Sequence, residues 1–365
     1  MPETKSRKSR IFQVVLFALS VGMLVYFCIS GNNLVVLLRS LPELNPFWLL
    51  GAAGCVALNW ILDCEIIRAL LSGAAEHRLR FSDAFRVTMV GQYFNAITPY
   101  AVAGQPMQLV ALIRRGVPSG IAVSALVRKF LVYQEAISLY SLAVILVRYR
   151  FFQGRVQGFM ALAFVGFVYQ AVTMAVLLLF TFCPRIAEKL SFFVIWLLAK
   201  LHVVKKPEEA RGKVRDQLDY YGKNNRAMQG NRLLRLRVFG LTLLQLTALF
   251  SVPFFIYEAY RQPGAPAFDM IAAQCFVTMI SGYTPLPGAA GAAEGSFLVM
   301  FRLFFAPEVL TQAMLLWRLI AYYSCIAVGA FFVRFGKPEK EGARLENAGD
   351  EAPGNAKKNG GKVHE

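Results

Sequence analysis

Long runs of apolar residues with few or no charges constrain this chain more than any other feature. Residues 11–30 and 156–182 contain no Asp, Glu, Lys or Arg, and 47–70, 119–147, 236–258 and 311–333 contain only a few. A hydrocarbon core of about 30 Å takes about 20 residues of α-helix, so runs of this length read as membrane spans. Charged residues make up 17% of the 365-residue chain, against roughly 25% in soluble domains. The apolar runs leave no room for a soluble domain of ordinary size. The expected fold is all-α: a polytopic membrane protein with about six full transmembrane helices.

Two further apolar segments, 84–113 and 270–301, are broken in the middle. The first reads Asn95-Ala-Ile-Thr98-Pro99-Tyr-Ala-Val-Ala-Gly104-Gln105-Pro106, and the second Ser281-Gly282-Tyr-Thr284-Pro285-Leu-Pro287-Gly288-Ala-Ala-Gly291-Ala-Ala-Glu294. Proline and glycine oppose a continuous helix, and each half is too short to cross the core alone. Re-entrant hairpins are expected, with a single kinked span as the alternative for 84–113. The breaks share a Thr-Pro followed by small residues and a glycine: Thr98-Pro99 to Gly104, and Thr284-Pro285 to Gly291. Counting spans sends the two hairpins in from opposite sides, so an inverted repeat is expected, with a site near the bilayer midplane.

The net charge of +17 reflects Lys and Arg gathered between apolar runs, the pattern of cytoplasmic loops rather than of a nucleic-acid surface. This places both termini inside. It gives a basic tail at 1–10, a membrane domain at 11–335 with a cytoplasmic or interfacial insert at 184–235, and a disordered tail at 336–365. Arg148, Arg150 and Arg155 break the pattern, since they fall outside by the same count. Six cysteines without a CxxC pair and three histidines in loops or the tail argue against disulfides, metal or cofactors.

Broken backbone at membrane depth is tolerated where it is buried in protein or lines a wet cavity. Helices restarting near Gly104 and Gly288 present free amides suited to an anion, and Gly288 to Gly291 would let a headgroup approach closely. Packing kinks are the alternative reading. Charges inside spans point to a cavity or a partner. Glu294 and Arg318 are placed to pair, or to contact a lipid's cationic and anionic groups. Arg128 and Glu135, seven residues apart, share a helix face, although Arg128 also suits an interfacial position. Asp63 and Glu65 read as interfacial by default.

These motifs together resemble one family, the lysylphosphatidylglycerol synthase transmembrane region, also called flippase-like. The residues that carry the resemblance are Asn95, Pro99 and Gly104; Pro285, Pro287, Gly288, Gly291 and Glu294; and Arg318. The chain departs from the family's usual pattern at Ala289, Gln105 and Val127, so the resemblance implies a lipid without naming it. It implies a lipid translocase of a bacterial plasma membrane, acting on an anionic or aminoacylated phospholipid and linked to cationic-peptide resistance. In full-length relatives a separate C-terminal cytosolic domain makes lysylphosphatidylglycerol from aminoacyl-tRNA. This chain ends about thirty residues after its last span, so no catalytic residue is expected. A membrane phospholipid is the expected partner, with no nucleic acid. A second role is a non-catalytic membrane subunit beside a separate lipid-modifying enzyme.

Overall fold

The structure, a computed structural model, describes residues 41–75, 78–156, 159–182, 232–262, 264–282 and 284–335, together with Phe192, Trp196, Glu208 and Gly212. The expected span at 11–30, both tails and most of the 184–235 insert lie outside the described residues. Residues 232–235 belong instead to a membrane helix. The described residues form helices and turns, with no strand among them.

Helices α1 (Pro46–Ala75), α4 (Ser119–Gln153) and α6 (Arg232–Ala259) are long and apolar enough to span, as is the continuous stretch Pro307–Val333. That last stretch is built from α9 (Pro307–Arg318), a π-helical turn (Leu319–Tyr323) and α10 (Ser324–Phe335). Helix α5 (Phe159–Phe182) has 24 residues, about 36 Å at 1.5 Å per residue.

The broken segments fold back on themselves. Helix α2 (Phe81–Ile97) packs along α3 (Gly104–Ile113), and α7 (Ala267–Ser281) packs along α8 (Ala292–Phe301). The longest of the four has 17 residues, about 26 Å, and so does not cross alone.

Local chemistry explains both turns. Thr98 is extended (φ −117°, ψ 144°), as a residue before proline is pushed to be. Its hydroxyl donates to the Phe94 carbonyl at 2.6 Å and accepts from the Ala103 amide at 3.3 Å, stitching the break. Pro99 then opens a 3-10 turn (Pro99–Ala101), and Pro287 opens its counterpart (Pro287–Ala289). The second and third residues of each turn are left-handed: Tyr100 and Ala101 at φ 53° and 54°, Gly288 and Ala289 at φ 60° and 52°. The structural register of the repeat therefore pairs Pro99 with Pro287. The Thr-Pro match to Pro285 was two residues out, because it aligned letters rather than the proline that starts the turn.

The repeat is inverted. Helices α1 and α6, which precede the two hairpins, pack side by side. The Asn45 amide donates to the Ala259 carbonyl at 3.1 Å, Gly51 lies under the Phe255 ring, and Gln245 reaches Asp63. Rising numbers on α1 meet falling numbers on α6, so equivalent helices run antiparallel. The two hairpin turns meet tip to tip. Each half closes on the other's hairpin: α10 packs on α2, and α4 packs on α7.

Two of the three arginines that broke the charge pattern are accommodated locally. Arg148 Nε lies 2.6 Å from Asp269 Oδ1, with its guanidinium 5.0 Å over the Phe268 ring. Arg155 lies 4.1 Å over the Phe151 ring.

Candidate functional site

A dense cluster of buried polar side chains among the described residues centres on Asp63. This residue was read as interfacial because α1 was expected to end near 70. The helix continues to Ala75, which carries Asp63 about 18 Å from its end at 1.5 Å per residue. Asp63 is only 3% exposed. Lys129 Nζ of α4 donates to its Oδ2 at 2.7 Å, Thr88 Oγ1 of α2 donates to the same oxygen at 3.1 Å, and Gln245 Nε2 of α6 donates to Oδ1 at 3.3 Å. Lys129 also reaches Gln108 Oε1 of α3 at 3.5 Å. Three helices, α2, α3 and α6, thus send donors or acceptors to the buried ion pair between α1 and α4, the arrangement that makes such a pair tolerable.

A cavity of 330 Å³ opens beside this pair. Its polar lining includes Asn59, Gln92, Asn95 and Gln105, besides Asp63 and Lys129. A second cavity of 330 Å³ lies between the two hairpin tips, bordered by Thr278, Ser281, Gly288 and Tyr322. The two share the wall formed by Gln92, Asn95, Tyr100 and Ala101. The buried Asn95 Oδ1 in that wall has no hydrogen-bond partner among the described residues. The π-helical turn of the last span supplies Ala321 and Tyr322 to the tip cavity; such turns recur at functional sites.

Glu294 and Arg318 form a second buried pair, both 5% exposed, with Arg318 Nε 2.7 Å from Glu294 Oε1. Glu294 uses its other oxygen to accept from the Gly291 amide at 2.7 Å, the N3-to-N-cap half of a capping box at the start of α8. The carboxylate therefore occupies the helix N-terminus that the sequence offered to an external anion. The Arg318 guanidinium lies 5.1 Å from the Trp317 ring and 5.2 Å from the Tyr322 ring, and Trp317 stacks on Phe297 of α8 at 4.9 Å. Its Nη2 has no hydrogen-bond partner among the described residues. Neither Glu294 nor Arg318 borders the two cavities described.

The other expected site residues divide in the same way. Asn95 borders both cavities and Gly288 borders the tip cavity, where a Cβ would lie 2.4 Å from the Tyr322 ring. A Cβ on Gly104 would lie 1.9 Å from Asn95 Oδ1, so the glycine makes room for the asparagine. Pro99 and the buried Pro287 open the tip turns, and Gly291, at φ 83°, caps α8. Glu135 pairs with Arg235 Nη2 at 2.9 and 3.1 Å, away from either cavity. Arg128 is half-buried, and its neighbour Lys129 holds the cavity position. Sequence reading missed Asp63, Lys129 and the carboxamides. The signal was there: Asn59, Gln92, Gln108 and Gln245 all interrupt apolar helices.

An inverted pair of helical hairpins meeting tip to tip, with polar cavities at the junction, defines a polytopic membrane protein of the repeat-built kind. The chain belongs to the lysylphosphatidylglycerol synthase transmembrane-region family, whose model matches residues 11–329. It is similar to a UPF0104 membrane protein of Archaeoglobus fulgidus, with 26% identity over 335 residues, covering 88% of this chain and 92% of the relative.

Proposed function

We propose that this protein binds the headgroup of a membrane lipid at the hairpin junction and carries it between the two leaflets. The observation that supports this most is the pair of polar cavities sharing one wall where oppositely directed hairpins meet. Buried polar lining inside an apolar bundle is costly unless a ligand or pathway uses it. The family's description names lysylphosphatidylglycerol, so the first assays take that lipid beside anionic phospholipids; resistance to cationic peptides is the cellular readout for this reading.

The test is translocation of fluorescent phospholipid in proteoliposomes, followed by quenching with an impermeant reductant. With the protein present, quenching should proceed beyond the outer-leaflet fraction. Quenching that stops at the protein-free level, together with no lipid retained on the purified protein, would remove this function. Lipid retention without translocation would fit the second role, a binding subunit beside a separate lipid-modifying enzyme.

A further inference from the structure

The chemistry of the cavity beside Asp63 says more about the headgroup than the family does. Six carboxamides border it: Asn59, Gln92, Asn95, Gln105, Gln108 and Gln245. Each carries one acceptor oxygen and two N–H donors. A phosphate only accepts and calls for cations and N–H groups, whereas an ammonium only donates and calls for carboxylates. A hydroxyl does both, and a carboxamide is its natural partner.

The charged groups of the lining are already committed. Lys129 and Asp63 lie 2.7 Å apart, and Asp63 takes further bonds from Thr88 and Gln245. The pair presents no net charge to an incoming group. Several amides, by contrast, are unspent. The side chains of Asn59, Gln92 and Gln105 make no hydrogen bond with the described residues, although Asn59 is only 7% exposed. Asn95 Oδ1 is buried and unpartnered. A buried amide without a partner carries a desolvation penalty that a ligand bond relieves. Phe130 and Tyr133 also border the cavity, side chains of the kind on which the C–H face of a sugar packs. Tyr100, on the shared wall, is held at a left-handed φ of 53°, and such strain gathers at ligand clamps.

We infer that this cavity receives a hydroxyl-rich, uncharged headgroup, a glycosyl or comparable polyol attached to a lipid. The inference rests on the lipid-binding reading above and specifies the substrate class of the same site. At 330 Å³ the cavity holds on the order of ten water-sized groups at about 30 Å³ each, the scale of one sugar ring.

The experiment compares monoglucosyl-diacylglycerol, phosphatidylethanolamine and lysylphosphatidylglycerol for binding to the purified full chain by native mass spectrometry. The glucolipid should bind at least about tenfold more tightly than either the zwitterionic phosphatidylethanolamine or the cationic lysylphosphatidylglycerol. Asn59→Leu and Gln105→Leu should each weaken glucolipid binding about tenfold, the loss of one or two neutral hydrogen bonds. Neither should lower the melting temperature of the lipid-free protein, because neither amide holds the fold together. Tighter binding of the zwitterionic or the cationic lipid overturns the hydroxyl inference and leaves lipid binding standing. Failure of all three lipids to bind removes both. Unchanged glucolipid affinity in both well-folded variants also overturns it.

Discussion

Replacing Lys129 with methionine keeps an unbranched side chain one atom shorter and removes its charge. Asp63 would then be a carboxylate 3% exposed, left with Thr88 and Gln245 as donors. Breaking a buried pair by removing one partner costs about 3–5 kcal/mol. The cavity tempers this, since the Lys129 side chain is 18% exposed, so about 3 kcal/mol is expected. Asp63→Asn strands the ammonium instead, but Lys129 can turn toward the cavity, and the loss should be about 1–2 kcal/mol. The double variant removes both charges and should return to within about 1 kcal/mol of the parent, because a neutral replacement of a buried pair is often tolerated. The four proteins form a double-mutant cycle, read by unfolding in detergent, and the coupling should reach at least about 2 kcal/mol. Effects that add to within about 0.5 kcal/mol would refute the view that these two residues stabilise each other across α1 and α4.

Gly288→Val should destabilise the tip and abolish translocation, since its Cβ would lie 2.4 Å from the Tyr322 ring on a backbone at φ 60°; melting temperature and the proteoliposome assay report the two losses. Arg148→Ala should lower stability by about 3 kcal/mol by stranding Asp269, itself 3% exposed, with recovery in Arg148→Ala/Asp269→Asn. In a cysteine-free background, Trp48→Cys and Phe254→Cys should be bridged by a short bismaleimide, because their rings lie 6.4 Å apart. Failure of that cross-link would count against the antiparallel packing of α1 and α6. Single cysteines at Lys5 and Gly212 should resist an impermeant label in intact cells, while one within 31–46 reacts.

What was legible in the sequence was what periodicity and proline control. Apolar length marked α1, α4, α5, α6 and the last span, and the proline–glycine clusters marked both tips. The register of the repeat was not legible. Its signature is a left-handed pair of residues after proline, and Tyr100-Ala101 and Gly288-Ala289 share that backbone without sharing letters. The Asp63 cluster escaped for another reason. Asp63 is buried by donors from α2, α4 and α6, residues 25 to 182 positions away that the letters do not pair with it. The Glu294–Arg318 contact was accessible because opposite charges in neighbouring spans have few other resolutions. The capping bond from Gly291 to Glu294 depends on backbone direction, which the letters do not carry.

The exchange of contacts between the halves has a consequence for the birth of the protein. Helix α2 is made early, yet the surface it packs on, α10, is the last described helix to be made. Tyr322, whose hydroxyl donates to the Ala96 carbonyl at 2.9 Å, likewise arrives more than two hundred residues after its partner. During synthesis the first hairpin must therefore wait in the bilayer with one flank against lipid or a chaperone, while everything between is inserted. A ribosome that stalls before the final span leaves a membrane intermediate with the Phe85 and Tyr93 face of α2 uncovered, a flank that Phe332 and Gly329 fill in the finished protein.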